Sequence, residues 1–223
     1  MALQARHGHE APVKRAFLLM VCVPLLASCA GATPPPDWQL NAHLSLKNFE
    51  AAYLAGNSRV ADAEFARARS ELSSTGRADL VARAELTRCA LQTASIAFED
   101  CPAFRSLALD AGAPERAYRE YLAGRWQGLD VNLLPEQHRQ VILGGALPID
   151  PMARLVAAGA SLRAGKASPA SIAAAIDTAS ANGWRRPLLA CLGIEEKRAS
   201  SAGDNEAAAR IRRRMELISK GGN

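Results

Sequence analysis

The sequence is poor in the residues that favour β-strands. Valine, isoleucine and threonine together supply only 21 of the 223 residues, and aromatic residues account for 5%. Because β-branched and aromatic side chains are enriched in strands, this scarcity argues against a β-sandwich or a β-barrel. Alanine, the residue with the highest helix propensity, supplies 46 residues. The composition therefore predicts an all-α protein.

The sequence also lacks the motifs that mark common catalytic and cofactor sites. It contains no glycine-rich phosphate loop, no Gly-x-Ser-x-Gly elbow, no His-Glu-x-x-His and no Cys-x-x-Cys. After residue 28 the only histidines are His43 and His138. We therefore predict no catalytic residue, no metal site and no cofactor, and we do not expect an enzyme. An enzyme of unrecognised type is the alternative, which a deep pocket with convergent polar side chains would favour.

The first 28 residues have the pattern of an export signal. Lys14 and Arg15 supply positive charge, and 12 uncharged, mostly apolar residues follow from Ala16 to Ala27. A run of this length fits the apolar part of a signal peptide, whereas a membrane-spanning helix needs about 20 such residues. We therefore predict that residues 1–28 are a lipoprotein signal peptide that the mature protein lacks.

The apolar run ends in Leu26-Ala27-Ser28-Cys29. This segment resembles the lipobox of bacterial lipoproteins, in which leucine and two small residues precede an invariant cysteine. The resemblance implies palmitate-type acyl chains on Cys29, cleavage just before it, and acylation of the new N-terminus. Ala30, where an aspartate would favour the inner membrane, implies anchoring in the outer membrane facing the periplasm. Inner-membrane anchoring and a conventional secretory signal cut near Ala27 or Ala30 are the alternatives.

The segment after the predicted acylation site is rich in proline. Residues 29–36 end in Pro34-Pro35-Pro36, and consecutive prolines favour an extended chain and prevent a helix from continuing. We predict that residues 29–36 are a short tether that holds the folded part away from the bilayer. Residues 37–223 are then a single α-helical domain.

Apolar residues recur at helical spacing from Asp37 onward. The first two stripes comprise Ala42, Leu46, Phe49 and Tyr53, and then Ala61, Phe65, Ala68 and Leu72. Gly56-Asn57-Ser58 separates them, with glycine suited to the end of one helix and Ser58 to the N-cap of the next. We predict an antiparallel helix pair joined by a short turn.

The helical pattern returns in the second half of the chain. Asp150-Pro151 and Ser168-Pro169 each place a capping residue before a proline, which is typical of helix N-termini. Gly159 lies on the apolar face of the first of these helices, where a missing side chain favours close approach of a neighbouring helix. The less regular middle of the chain predicts one helix with apolar spacing at Leu80, Ala84 and Leu91. It also predicts three short helices: Pro102 to Leu109, Pro114 to Leu122 and Glu136 to Leu143.

The first helix pair resembles a tetratricopeptide (TPR) repeat. In that family a glycine at the turn is followed by an alanine, a large apolar residue and a second alanine at fixed spacing. These four positions are matched by Gly56, Ala61, Phe65 and Ala68. A match near Gly203 is partial, and the first-helix signature is absent. The resemblance implies a TPR-like α-solenoid of antiparallel hairpins, whose short concave groove holds one peptide or helix. An irregular helical bundle is the alternative.

Three of the five cysteines lie in the predicted domain, at Cys89, Cys101 and Cys191. Cys89 lies in a predicted helix, and Cys101 begins the next one after a turn. The periplasm, which the lipobox resemblance implies, is an oxidising compartment in which disulfides persist. We therefore predict a Cys89–Cys101 disulfide. Cys191 is expected to be a small buried apolar residue, with pairing to another chain as the alternative.

Positive charge is concentrated at the C-terminus, where residues 185–223 hold nine basic and five acidic side chains. A last helix is predicted after Gly203-Asp204 by the apolar stripe of Ala208, Ile211, Met215 and Ile218. Four of the basic residues cluster in this helix: Arg210, Arg212, Arg213 and Arg214. They form a candidate basic contact surface for anionic lipid or an acidic partner, and a solvated helix face is the alternative. Nucleic acid is not an expected partner of an exported protein.

These features suggest a membrane-anchored periplasmic lipoprotein that works through protein–protein interaction. A stack of helix pairs favours binding over chemistry, because it leaves an extended concave surface. By analogy with other helical-repeat lipoproteins, the protein is expected to be an accessory in envelope assembly or secretion, with a protein partner in the envelope. The alternative hypothesis is a cell-wall or anionic-ligand binding lipoprotein that uses the basic C-terminal helix.

Overall fold

The computed structural model describes residues 34–221. The predicted signal peptide, Cys29 and the tether as far as residue 33 therefore lie outside the described residues. Within residues 34–221 the structure has ten α-helices, one 3-10 helix and no strand, which confirms the predicted all-α class. Residues from Pro36 onward form one compact unit. None of the described helices is long and apolar enough to span a bilayer.

The helices are named here in chain order. They are α1 (Asp37–Leu54), α2 (Ser58–Ser73), α3 (Ala78–Ala94), α4 (Pro102–Arg105), α5 (Ala113–Leu122), α6 (Glu136–Ile142), α7 (Pro151–Arg163), α8 (Pro169–Ala181), α9 (Arg185–Ser201) and α10 (Asn205–Lys220). The 3-10 helix (Val131–Leu133) lies between α5 and α6.

The first two helices form the predicted antiparallel pair. Asn41, near the start of α1, donates a hydrogen bond to Glu71 near the end of α2. Phe49 and Phe65 meet between the helices with their ring centroids 4.9 Å apart, and both side chains are buried. The N-cap of α2 is not the predicted Ser58. It is Asn57, whose side chain accepts a hydrogen bond from the Val60 N–H at 3.3 Å.

Helix α3 is the central element of the fold. It packs against α1, α2, α4, α5 and α7, and its buried residues belong to both apolar clusters of the core. One cluster lies among α1, α2 and α3, and the other joins α3 to the helices that follow. Leu107, Met152 and Trp184 pack against both clusters. The N-terminal hairpin is thereby connected to the rest of the bundle.

The contact between α3 and α7 depends on Gly159. A Cβ atom at this position would lie 2.0 Å from the carbonyl oxygen of Thr93 in α3, far inside van der Waals contact. The close helix approach that the sequence indicates is therefore confirmed. The N-caps predicted at Asp150 and Ser168 are also present, since each side chain accepts a hydrogen bond from a backbone N–H three residues later.

The middle of the chain is less helical than its sequence indicates. The helix predicted from Pro102 to Leu109 ends at Arg105 and continues only as turns. Phe104 is buried, and Leu107 and Ala108 are partly buried against the core, whereas Leu109 is 96% exposed. Helices α5 and α6 lie where predicted. A regular repeat of TPR-like hairpins stays a prediction.

Candidate ligand-binding cleft

An open cleft lies among α1, α3, α5, α7 and the segment from the 3-10 helix to α6. Its volume is about 620 Å³, within the range of roughly 300–1,000 Å³ that is typical of ligand pockets. Helices α3 and α7 supply much of its apolar wall, through Leu86, Ala90, Leu91, Met152 and Val156. The rim is exposed to solvent at Arg83, Thr87, Pro114, Asn132 and Gln137.

Both arginines that line the cleft are engaged by other protein groups. The guanidinium of Arg83 in α3 forms an ion pair with Glu115 in α5 at 2.8 Å. Arg139 in α6 pairs with Glu136 at 2.9 Å and donates to the backbone carbonyls of Leu134 and Asn132. These contacts hold the rim together, and they leave little positive charge available to a ligand.

Two further carboxylates line the cleft. Glu50 projects from α1, and Asp150 is the N-cap of α7, where its side chain accepts a hydrogen bond from the Ala153 N–H at 2.7 Å. Burial raises the pKa of Glu50 above its ordinary value, and the nearby charge of Asp150 raises it further, while Lys47 acts in the opposite direction. Glu50 is thus a partly desolvated carboxylate close to a second negative charge.

His138 is the most deeply buried polar side chain of the cleft. It is 2% exposed, and its Nδ1 atom has no hydrogen-bond partner among residues 34–221. The rings of Tyr118 and Tyr121 lie beside the imidazole, with centroid distances of 5.6 and 4.8 Å. Burial lowers the pKa of His138 to about 4, against a smaller upward effect of Asp150. The imidazole is therefore neutral at pH 7.

Because His138 is buried in its neutral form, the free energy of unfolding should depend on pH. Below its usual pKa of 6.5 the unfolded chain takes up a proton that the folded protein accepts only near pH 4, so stability falls as pH decreases through this interval. The expected loss attributable to His138 is about 3 kcal/mol between pH 7 and pH 4. Urea unfolding at the two pH values should show a smaller loss in His138→Gln than in wild type. Equal losses in the two proteins would contradict this assignment.

The cleft lacks the arrangement of an activated nucleophile. It is lined by no serine or cysteine among the described residues. The Thr87 hydroxyl donates to the backbone carbonyl of Arg83 and not to a side-chain base. Residues 34–221 also contain no group of three or more histidine, cysteine or acidic residues that could hold a metal ion. The cleft thus combines an apolar wall with a few polar groups.

The predicted disulfide is present. Cys89 in α3 is bonded to Cys101, the N-cap of α4, with 5.7 Å between their Cα atoms. Both cysteines are buried in the larger apolar cluster. Cys191 is a buried free cysteine, as predicted, and burial raises the pKa of its thiol to about 12. The bonded pair connects α3, a wall of the cleft, to the irregular segment that follows.

The four arginines of α10 are exposed, but they do not share one face. Arg212 turns towards α9 and forms an ion pair with Glu196 at 2.6 Å. Arg210 pairs with Glu206 within α10, and Arg214 donates to the Ser180 hydroxyl of α8. Ion pairing within the protein thus occupies two members of the candidate basic surface.

Sequence reasoning did not identify the cleft. Its polar groups come from five elements that extend from Glu50 to Asp150, and no local motif connects them. His138 is noticeable in the sequence only because histidine is scarce. Comparison with models of protein families, with curated proteins and with solved structures finds no match to this chain.

Proposed function

We propose that this protein is an outer-membrane lipoprotein, acylated at Cys29, whose helical domain faces the periplasm and binds a partner protein. The lipobox resemblance supports the anchor. The Cys89–Cys101 disulfide supports an oxidising compartment. An accessory role in envelope assembly or secretion fits a domain in which a short tether presents a binding cleft.

The cleft is the observation that carries the proposed binding role. It combines an apolar wall with a solvent-exposed rim, a combination that admits a segment of another chain without the need to enclose it. Its volume of about 620 Å³ suits a short peptide segment or one face of a helix. The partner is therefore expected to contribute a linear segment and not a large flat surface.

Binding of an anionic ligand or of the cell wall is the second candidate. It is favoured by the exposure of Arg210, Arg213 and Arg214, which lie within about 100° of one another around α10. The pairing of Arg210 with Glu206 reduces the charge available there. This candidate predicts contact through α10, whereas the first predicts contact through the cleft.

One experiment on cell membranes tests the anchor and the binding site together. We expect extracted protein to have the mass of residues 29–223 plus acyl chains, and Cys29→Ser to abolish acylation. A photo-crosslinking residue at Thr87, on the rim of the cleft, should give one discrete protein adduct. The same residue at Ala63, exposed on α2 and away from the cleft, is the matched control.

The outcomes separate the two parts of the proposal. An unacylated mass would contradict the lipoprotein assignment. Absence of an adduct at position 87, or equal adducts at positions 87 and 63, would contradict a binding role for the cleft. An adduct obtained only from a probe placed at Arg213 would favour the second candidate.

A further inference from the structure

We propose that the cleft recognises a peptide segment in which a lysine or arginine is flanked by apolar residues, with Glu50 and Asp150 facing the basic group. This inference rests on the proposed function, because it assigns a chemical class of ligand to the same cleft. Four observations carry it: the charge left unpaired, the desolvation of Glu50, the apolar wall and the neutrality of His138.

The first observation is the balance of charge along the cleft. Arg83 is neutralised by Glu115, and Arg139 is paired with Glu136 just outside the lining. The remaining charged groups of the lining are Glu50 and Asp150, both negative. A cationic group is therefore the electrostatic complement of this surface, and an anionic ligand would meet two carboxylates that have no ion-pair partner.

The second observation is the condition of Glu50. Within residues 34–221 its half-buried carboxylate forms no hydrogen bond or ion pair, although Lys47 lies near enough to lower its pKa. The raised pKa of Glu50 reflects this incomplete solvation and the charge of Asp150. A ligand cation would supply the missing donor and reduce the repulsion between the two carboxylates.

The third observation is the apolar wall beside these carboxylates. Leu86 in α3, together with Met152 and Val156 in α7, lines the same cleft. Lysine and arginine carry long aliphatic stems that pack on apolar surface while their charged ends reach polar groups. A basic side chain with apolar neighbours thus matches both parts of the cleft at once.

The fourth observation concerns His138. A protonated imidazole would repel a ligand cation, but the buried ring is neutral at pH 7. Its Nδ1 atom is buried and lacks a partner among residues 34–221. The negative charge of Glu50 and Asp150 is therefore not offset by the histidine.

The test is equilibrium dialysis of the full-length protein, extracted in detergent, against pools of hexapeptides. Each pool has random alanine, leucine, valine and phenylalanine flanks around one central residue. The central residue is lysine in the first pool, acetyl-lysine in the second and glutamate in the third. We expect the lysine pool to be retained about ten-fold better than the acetyl-lysine pool, and the glutamate pool not to be retained.

Substitutions at Glu50 and Asp150 test whether the preference for the lysine pool comes from the cleft. Glu50→Gln should weaken lysine-pool binding about ten-fold and leave acetyl-lysine binding unchanged. Asp150→Asn removes a charge but keeps the N-cap, because asparagine caps as well as aspartate, and it should weaken binding further when combined with Glu50→Gln. Glu216→Gln, which removes an exposed charge from α10, should leave binding as in wild type.

A charge-reversal variant distinguishes a change in ligand preference from a loss of folding. Glu50→Lys should lose the lysine pool and gain the glutamate pool, an outcome that an unfolded variant cannot give. Equal binding of the lysine and acetyl-lysine pools, no binding of any pool, or saturable binding of free spermidine in place of the peptides would each overturn the inference. The photo-crosslink at position 87 would still test the proposed function independently.

Discussion

Gly159→Ala is expected to lower the free energy of unfolding by about 3 kcal/mol, although alanine by itself gains about 1 kcal/mol of helix propensity over glycine. The new Cβ would lie 2.0 Å from the Thr93 carbonyl oxygen and 2.8 Å from its carbon. Both atoms belong to the backbone of α3, so no side-chain rotation can make room. Helices α3 and α7 would have to separate, and the packing along their contact would be lost.

Gly193→Ala is the matched control for this prediction. Gly193 is also a glycine within a helix, α9, but its added Cβ would meet only the terminal methyl carbon of Met215 at 4.0 Å. This is ordinary van der Waals contact, so the propensity gain of up to about 1 kcal/mol should dominate. Urea unfolding of the two variants should therefore shift in opposite directions. A destabilised Gly193→Ala, or an unchanged Gly159→Ala, would contradict the explanation from helix packing.

Loss of the Cys89–Cys101 disulfide should also lower the free energy of unfolding. The cysteines are 12 residues apart in sequence, and closing a loop of this length stabilises the folded state by about 3 kcal/mol in the chain-entropy model. The double variant Cys89→Ser with Cys101→Ser should unfold at correspondingly lower urea concentration. Reductant should lower the urea concentration at which half of the wild-type protein is unfolded, and it should leave that of the double variant unchanged.

Cys191→Ala serves as the control, because it removes a buried thiol that forms no disulfide. We expect a smaller loss from the cavity, and the variant should keep the wild-type response to reductant. If reductant had no effect on wild type, or if it acted equally on the double variant, the bond would not contribute to stability. Mass analysis with and without alkylation would show directly whether the cysteines are bonded.

Local patterns in the sequence were sufficient for the all-α class and for much of the first hairpin. Ala61, Phe65 and Ala68 are buried as their helical spacing indicates, because periodicity determines which side of a helix is apolar. The caps at Asp150 and Ser168 depend on hydrogen bonds three residues apart, so they too are local. The N-cap of α2 is Asn57 and not the predicted Ser58. Both residue types favour the N-cap position, so the sequence pattern does not distinguish two adjacent candidates.

The predictions were less successful where distant parts of the chain decide the outcome. The helix predicted from Pro102 to Leu109 stops after one turn, and Leu107 and Ala108 pack against the core from the turns that follow. The arginines of α10 appear in sequence as one basic cluster. In the folded protein Arg212 is instead paired with Glu196 of α9, sixteen residues away. A linear pattern does not show which charge will lie opposite another.

Local sequence is sufficient for the helical class, the lipobox resemblance, the cysteine spacing and the position of Gly159 on an apolar face. Each of these depends on residues close together in the chain. The cleft could not be predicted in this way, because Glu50, His138 and Asp150 become neighbours only through the packing of α1, α6 and α7. The pKa values of Glu50 and His138 also depend on this packing. Desolvation depends on what surrounds a side chain, and that is a property of the folded molecule.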